Sequence, residues 1–170
     1  MSAQDSEARS QKPEAGFTLV ELLVVITIIA ILSIIGLAVY SVVLKNGRDA
    51  KRQTDLRSVQ SALEQHYSDF LYYPSAVTFN GSTALSNGSK TYLNAVPADP
   101  TNSNDYIYCY KGLKSASSCD SVDSMDCDNA TSDKCVKYCM YAKLENPPAG
   151  AVAYKCATAT PRFTLKVSPP

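Results

Sequence analysis

The chain has 170 residues, 16 basic and 16 acidic side chains, one histidine and six cysteines, so its formal net charge is zero. That length holds one modest domain, and the balanced charge does not suit a general nucleic-acid binder, which needs a basic excess. One histidine and no phosphate-cradling glycine loop leave little material for nucleophile–base or nucleotide chemistry.

Residues 1–16 are polar, and the stretch EAGFTLVELLVVITIIAIL follows at 14–32 with a single internal carboxylate, Glu21. From Leu22 to Leu44, 23 residues, there is no Asp, Glu, Lys, Arg or Pro. About 20 apolar residues suffice for a helix to cross a bilayer core, so this run predicts one membrane span. A secretory signal places its basic stretch first and its small-residue cleavage site last. Here Ala15-Gly16 precedes the apolar run, so a cut at that point leaves the span on the mature chain. Basic residues flank the span on both sides (Arg9 and Lys12; Lys45, Arg48, Lys51 and Arg52), so the charge rule does not fix its orientation. A charge inside a span costs roughly 2.5–3.5 kcal/mol, so Glu21 needs a reason to be there.

The junction Gly16-Phe17-Thr18-Leu19-Val20-Glu21, running into an unbroken apolar helix, resembles the class III leader junction of type IV pilins and pseudopilins. The resemblance implies that a prepilin peptidase cuts after Gly16 and that Phe17 becomes the N-methylated N-terminus. It also implies an α+β fold: a long N-terminal helix, membrane-spanning in its first half, packed against a small antiparallel sheet head. The new amine at Phe17 of one subunit then meets Glu21 of its neighbour, because a buried charge is tolerable when paired. Glu21 is thus the candidate assembly residue, setting the depth at which a subunit enters a filament.

No proline stands between Pro13 and Pro74, so one helix can continue beyond the span. Leu56, Val59, Leu63, Tyr67 and Phe70 recur at helical spacing, while Lys51, Arg52, Asp55, Arg57 and Glu64 are assigned to the other positions. Gly36 and Gly47 are the expected points of local bending or melting, and His66 is expected as a packed or half-exposed helical residue rather than a ligand. Residues 71–104 read as a loop, with turn signals at Tyr73-Pro74-Ser75, Asn80-Gly81, Asn87-Gly88 and Pro97-Ala98-Asp99-Pro100. The segment YLNAVPADP followed by DYIYCY resembles the loop-to-sheet junction of major pseudopilins and many small pilins. Strands are predicted over 105–110, 137–145, 151–156 and 162–167. The resulting organisation is a leader at 1–16, a transmembrane and filament-core helix at 17–44, an amphipathic helix at 45–70, an αβ-loop at 71–104 and a cysteine-rich sheet head at 105–170.

All six cysteines, Cys109, Cys119, Cys127, Cys135, Cys139 and Cys156, lie in the last third. An even set clustered beyond a membrane span reads as a disulfide framework in an oxidising compartment, with its pairing left open. Asp120, Asp123, Asp126 and Asp128 offer oxygens for calcium but do not form an EF-hand loop. The reading is therefore no cofactor, with calcium as the minority alternative.

The function expected from the resemblance is a structural, non-catalytic subunit of a type IV pilus-like filament. Its implied partners are copies of itself or other pilins, the prepilin peptidase, an assembly ATPase with its inner-membrane platform protein, and lipid before assembly. DNA stands last among them, since the head carries no basic run. The chain is placed in the cytoplasmic membrane with its head outside the cytoplasm, and on the cell surface once assembled. The alternatives are a major pseudopilin of a type II secretion system and, from another class, a monomeric membrane-anchored binding domain.

Overall fold

The computed structural model describes residues 16–103, 105–114, 127–130, 133–154, 156 and 163–169. Helix α1 (Leu19–Phe70) is followed by β1 (Leu85–Asn87), β2 (Lys90–Leu93), β3 (Cys109–Leu113), β4 (Lys137–Ala142) and β5 (Leu165–Val167). The architecture is α+β. The chain divides into two compact units, Met1–Ser41 and Val42–Pro170, described in turn.

In the first unit, α1 runs through Gly36 as helix, and every large apolar side chain from Phe17 to Ile35 faces outward. Among the described residues no part of its apolar window is buried, and by length and composition it can cross a membrane. Each such side chain forfeits roughly 1.5–3 kcal/mol if left in water, so this surface requires lipid or other helices around it.

In the second unit, α1 continues through Gly47 and presents one face to the head. Leu56, Val59, Ala62 and Leu63 pack with Tyr73, Leu85, Val96, Tyr108, Tyr138, Met140 and Ala142. The helix ends where Leu71 takes a left-handed φ of 61° and its N–H donates to the Tyr67 carbonyl at 2.7 Å. That is the single-bond αL cap, with leucine in the place glycine usually takes.

The main sheet has the order β3-β4-β5 and is antiparallel throughout, with Tyr110 opposite Met140 and Met140 opposite Val167. Successive β4 side chains alternate between faces. Tyr138, Met140 and Ala142 join the helix-side cluster, while Cys139 and Tyr141 join a second cluster with Leu113, Cys156 and Phe163. Both faces of β4 are covered, which is why its sequence lacks the polar alternation of a one-sided strand. The expected strand at 105–110 lies later, at Cys109–Leu113, and around 151–156 the described residues hold one bridge, Tyr154 to Phe163.

Two disulfides are described, Cys109–Cys156 and Cys127–Cys135, closing separations of 47 and 8 residues. Chain-entropy arguments value such closures at about 4 and 2.5 kcal/mol. Cys139 is also disulfide-bonded, and Cys119 lies outside the described residues. Gly112 is required by close approach: a Cβ there would sit 2.9 Å from the Cys127 sulfur and 3.2 Å from the Pro74 carbonyl.

Two further features depart from the sequence expectation. The segment 71–104 is not all loop, because β1 and β2 form a hairpin with Asn87 opposite Lys90. Its two-residue connection, Gly88-Ser89, has Gly88 at φ 64°, a conformation glycine adopts freely. Arg52 and Asp55, assigned to positions off the apolar stripe, are buried. Asp49, Arg52, Leu56, Val59 and Leu63 in fact share one helix face by three- and four-residue steps.

Arg52 is fully buried and holds three carboxylates. Its Nε and Nη2 donate to Asp99 at 2.7 and 3.0 Å, and its Nη1 donates to Asp49 at 2.8 Å and to Glu145 at 3.0 Å. Asp49 also accepts the backbone N–H groups of Glu145 and Asn146, and Arg48 holds Glu145 through two nitrogens. Further along, Asp55 accepts the Tyr108 hydroxyl, and Glu64 accepts those of Tyr73 and Tyr138. The helix thus grips the head with charges at one end of its stripe, apolar contacts in the middle and tyrosine hydroxyls alongside.

Removing one member of a buried ion cluster strands the others. Arg52→Ala is therefore expected to destabilise the second unit by about 3–5 kcal/mol, read as a lowered denaturation midpoint of the detergent-solubilised chain. Hydrogen bonds from Arg48, then from Arg52, hold the Glu145 carboxyl down from its ordinary 4.5 to about 2. Its folded value lies below its unfolded one, so its contribution is complete above about pH 4.5 and is lost as pH falls toward 2. Thermal melts across that window are expected to show a steeper acid loss for the wild type than for Glu145→Gln.

Candidate functional site

The candidate site is the entry to α1. Gly16, Phe17 and Thr18 are non-helical and exposed, Phe17 at 89%. No atom lies near the position a Cβ would occupy on Gly16, so the Gly16–Phe17 peptide bond stands clear of the described chain.

Thr18 caps the helix. Its backbone N–H and its hydroxyl both donate to Glu21 Oε2 at 2.8 Å, and its Oγ1 accepts the Glu21 N–H at 3.2 Å. This is a capping box, in which Ser or Thr at the N-cap and Glu three residues later satisfy each other's donors. Sequence reasoning missed it, although Thr18-x-x-Glu21 before an apolar run is its written signature. The carboxylate also lies at the positive end of the helix dipole, where negative charge is favoured. Glu21 Oε1 takes no hydrogen bond among the described residues, so one oxygen stays open to a further donor.

The other candidate positions fall in the head. Cys109, Cys127, Cys135, Cys139 and Cys156 are all oxidised, in keeping with a disulfide framework. Asp128 is exposed and its Oδ1 accepts the Ala130 N–H at 2.8 Å. Asp120, Asp123 and Asp126 lie outside the described residues. Among the described residues no group of three or more His, Cys, Asp or Glu side chains is placed to hold a metal ion. His66 is buried, its Nδ1 3.0 Å from the Tyr72 carbonyl, with the rings of Phe70, Tyr72 and Tyr92 around it. It packs, as expected.

Residues 11–37 match the family described as the prokaryotic N-terminal methylation motif. No curated protein and no solved structure matches the chain. The matched stretch takes in the accessible Gly16–Phe17 bond, the capped Glu21 and the outward-facing apolar helix, and with it the chain carries the class III leader of type IV pilins and pseudopilins.

Proposed function

We propose that the chain is a structural subunit of a type IV pilus-like filament, cut after Gly16 by a prepilin peptidase and polymerised through its N-terminal helix. The observation that carries this reading is the conjunction of the methylation motif with an apolar helix surface left wholly uncovered by the chain. That surface is served equally by lipid and by neighbouring helices, so exchanging one for the other changes little hydrophobic energy. A specific polar contact can then decide register.

Glu21 supplies the contact. Before assembly one of its oxygens is occupied by Thr18, which lowers the cost of carrying it in the membrane. Cleavage converts the Phe17 nitrogen into a cationic amine, and the open oxygen of a neighbouring subunit's Glu21 accepts it. No step requires catalysis by this chain; the peptidase, assembly ATPase and platform protein do the work.

A second reading, a major pseudopilin of a type II secretion system, draws support from the Pro97–Pro100 turn ahead of the tyrosine-rich strand. Its Asp99 is drawn into the Arg52 cluster, so the turn is built into the head. The disulfide framework favours the pilus. Electron microscopy of sheared cell surfaces separates long fibres from a short periplasmic piston.

Mass spectrometry of the chain recovered from its host is expected to find residues 1–16 missing and a methylated amine on Phe17; an N-terminus at Met1 or Ser2 refutes the assignment. Glu21→Ala should insert and be cleaved normally, yet lower filament yield at least about tenfold, as expected for loss of about 1.4 kcal/mol. Glu21→Gln separates the two roles of the side chain, since glutamine keeps the capping box without the charge. Assembly by Glu21→Gln at wild-type yield would sink the charge-pairing account.

A further inference from the structure

The chain contains three Asn-Gly pairs: Asn46-Gly47, Asn80-Gly81 and Asn87-Gly88. Glycine after asparagine leaves the backbone nitrogen unshielded by a Cβ, so that nitrogen can attack the asparagine side-chain carbonyl. The structure treats the three pairs differently.

Asn46-Gly47 lies inside α1, where the Gly47 N–H belongs to the helix ladder, and Asn46 Oδ1 accepts from Asn146 Nδ2 at 3.1 Å. Asn80 is locked from both ends. Its Oδ1 accepts the N–H groups of Ser82 and Thr83 at 3.0 and 2.8 Å, and its Nδ2 donates to Thr83 Oγ1 at 2.7 Å. Its would-be nucleophile, the Gly81 N–H, donates to the Val96 carbonyl at 2.9 Å. Asn87 has none of this. Neither its side-chain amide nor the Gly88 N–H makes a hydrogen bond among the described residues. It is half-buried at the end of a three-residue strand, beside an exposed Gly88-Ser89 connection. Strand backbone must open for ring closure, and so short a hairpin opens at low cost.

We infer that Asn87 is a built-in site of spontaneous deamidation, because its side-chain amide and the attacking Gly88 N–H are both unbonded among the described residues and only its backbone carbonyl is engaged, by the Ser89 N–H at 2.6 Å, while Asn46 and Asn80 are protected. The Gly88 nitrogen forms a bond to Asn87 Cγ and loses its proton, and the side-chain nitrogen leaves as ammonia. Water then opens the resulting succinimide at either carbonyl, giving aspartate or isoaspartate, which ionises at neutral pH. The net reaction consumes one water and releases one ammonia, with no oxidant or enzyme.

The product alters the hairpin locally. Asn87 faces Lys90 in the register, and the Lys90 ammonium is bound to Asp69 at 2.6 Å. A new carboxylate opposite Lys90 competes with Asp69 for that ammonium. Isoaspartate additionally lengthens the backbone at the turn that fixes the strand register. A subunit that persists outside the cell thus acquires negative charge at one defined surface point as it ages.

The test is peptide mapping by mass spectrometry of the full chain in detergent, incubated at neutral to mildly alkaline pH and physiological temperature. Conversion at Asn87 is expected to exceed that at Asn46 and Asn80 by at least about tenfold, equivalent to about 1.4 kcal/mol of extra protection at the two locked sites. In denaturant the three rates should converge, which shows that the folded structure sets the difference. Asn87→Gln should abolish the acidic species seen on isoelectric focusing of the aged protein. Equal rates at the three sites in the folded chain, or faster conversion at Asn46 or Asn80, would overturn the inference.

Discussion

A helix that is apolar on every side cannot be the finished surface of a protein in water. Between Phe17 and Leu44 no large apolar side chain finds cover among the described residues, and hydrophobic burial is the dominant favourable term in folding and association. The rest follows from that constraint. The segment has to sit in lipid or among other helices, and whatever distinguishes one packed position from another has to be polar. Glu21 is the only charged side chain from Phe17 to Leu44.

The second half of the helix solves a different problem, which is to hold a small head whose strands are few and short. Leu56, Val59 and Leu63 supply the helix's apolar contacts with it. The head adds specific clamps: Arg52 joins the Asp99 turn and the Glu145 segment to one helical position, and Asp55 and Glu64 collect tyrosine hydroxyls from three segments. Buried ion clusters stabilise little relative to a well-packed apolar core, but they tolerate few alternative arrangements. The disulfides at Cys109–Cys156 and Cys127–Cys135 supply stability from the side of the unfolded chain. On the filament reading proposed above, the head would stay unchanged while the helix exchanges lipid for neighbouring helices.

Much of this was legible in the sequence because it depends on local pattern. The apolar run, the absence of proline and the junction at Gly16 are read directly, and the helix end near Phe70 follows the loss of spacing before Tyr73-Pro74. Long-range charge pairing was not legible. Arg52 looks like a surface residue by type, and only the three- and four-residue steps from Asp49 through Leu63 place it on the buried face; its partners Asp99 and Glu145 lie 47 and 93 residues away. The β1–β2 hairpin was hidden for the opposite reason. Its strands are three and four residues long, too short for alternation to register, and the informative dipeptide was Gly88-Ser89 rather than Asn87-Gly88.

The capping box changes how the lone carboxylate should be understood. A charge waiting in the membrane for a partner would be a continuing cost. Thr18 removes part of that cost by giving Glu21 Oε2 two donors at 2.8 Å while leaving Oε1 unengaged. On the filament reading proposed above, a side chain already held in place would not have to be ordered again when a neighbour's amine arrives, which reduces the entropy lost on contact. A carboxylate already fixed at the helix entry is a better register mark than one free to swing.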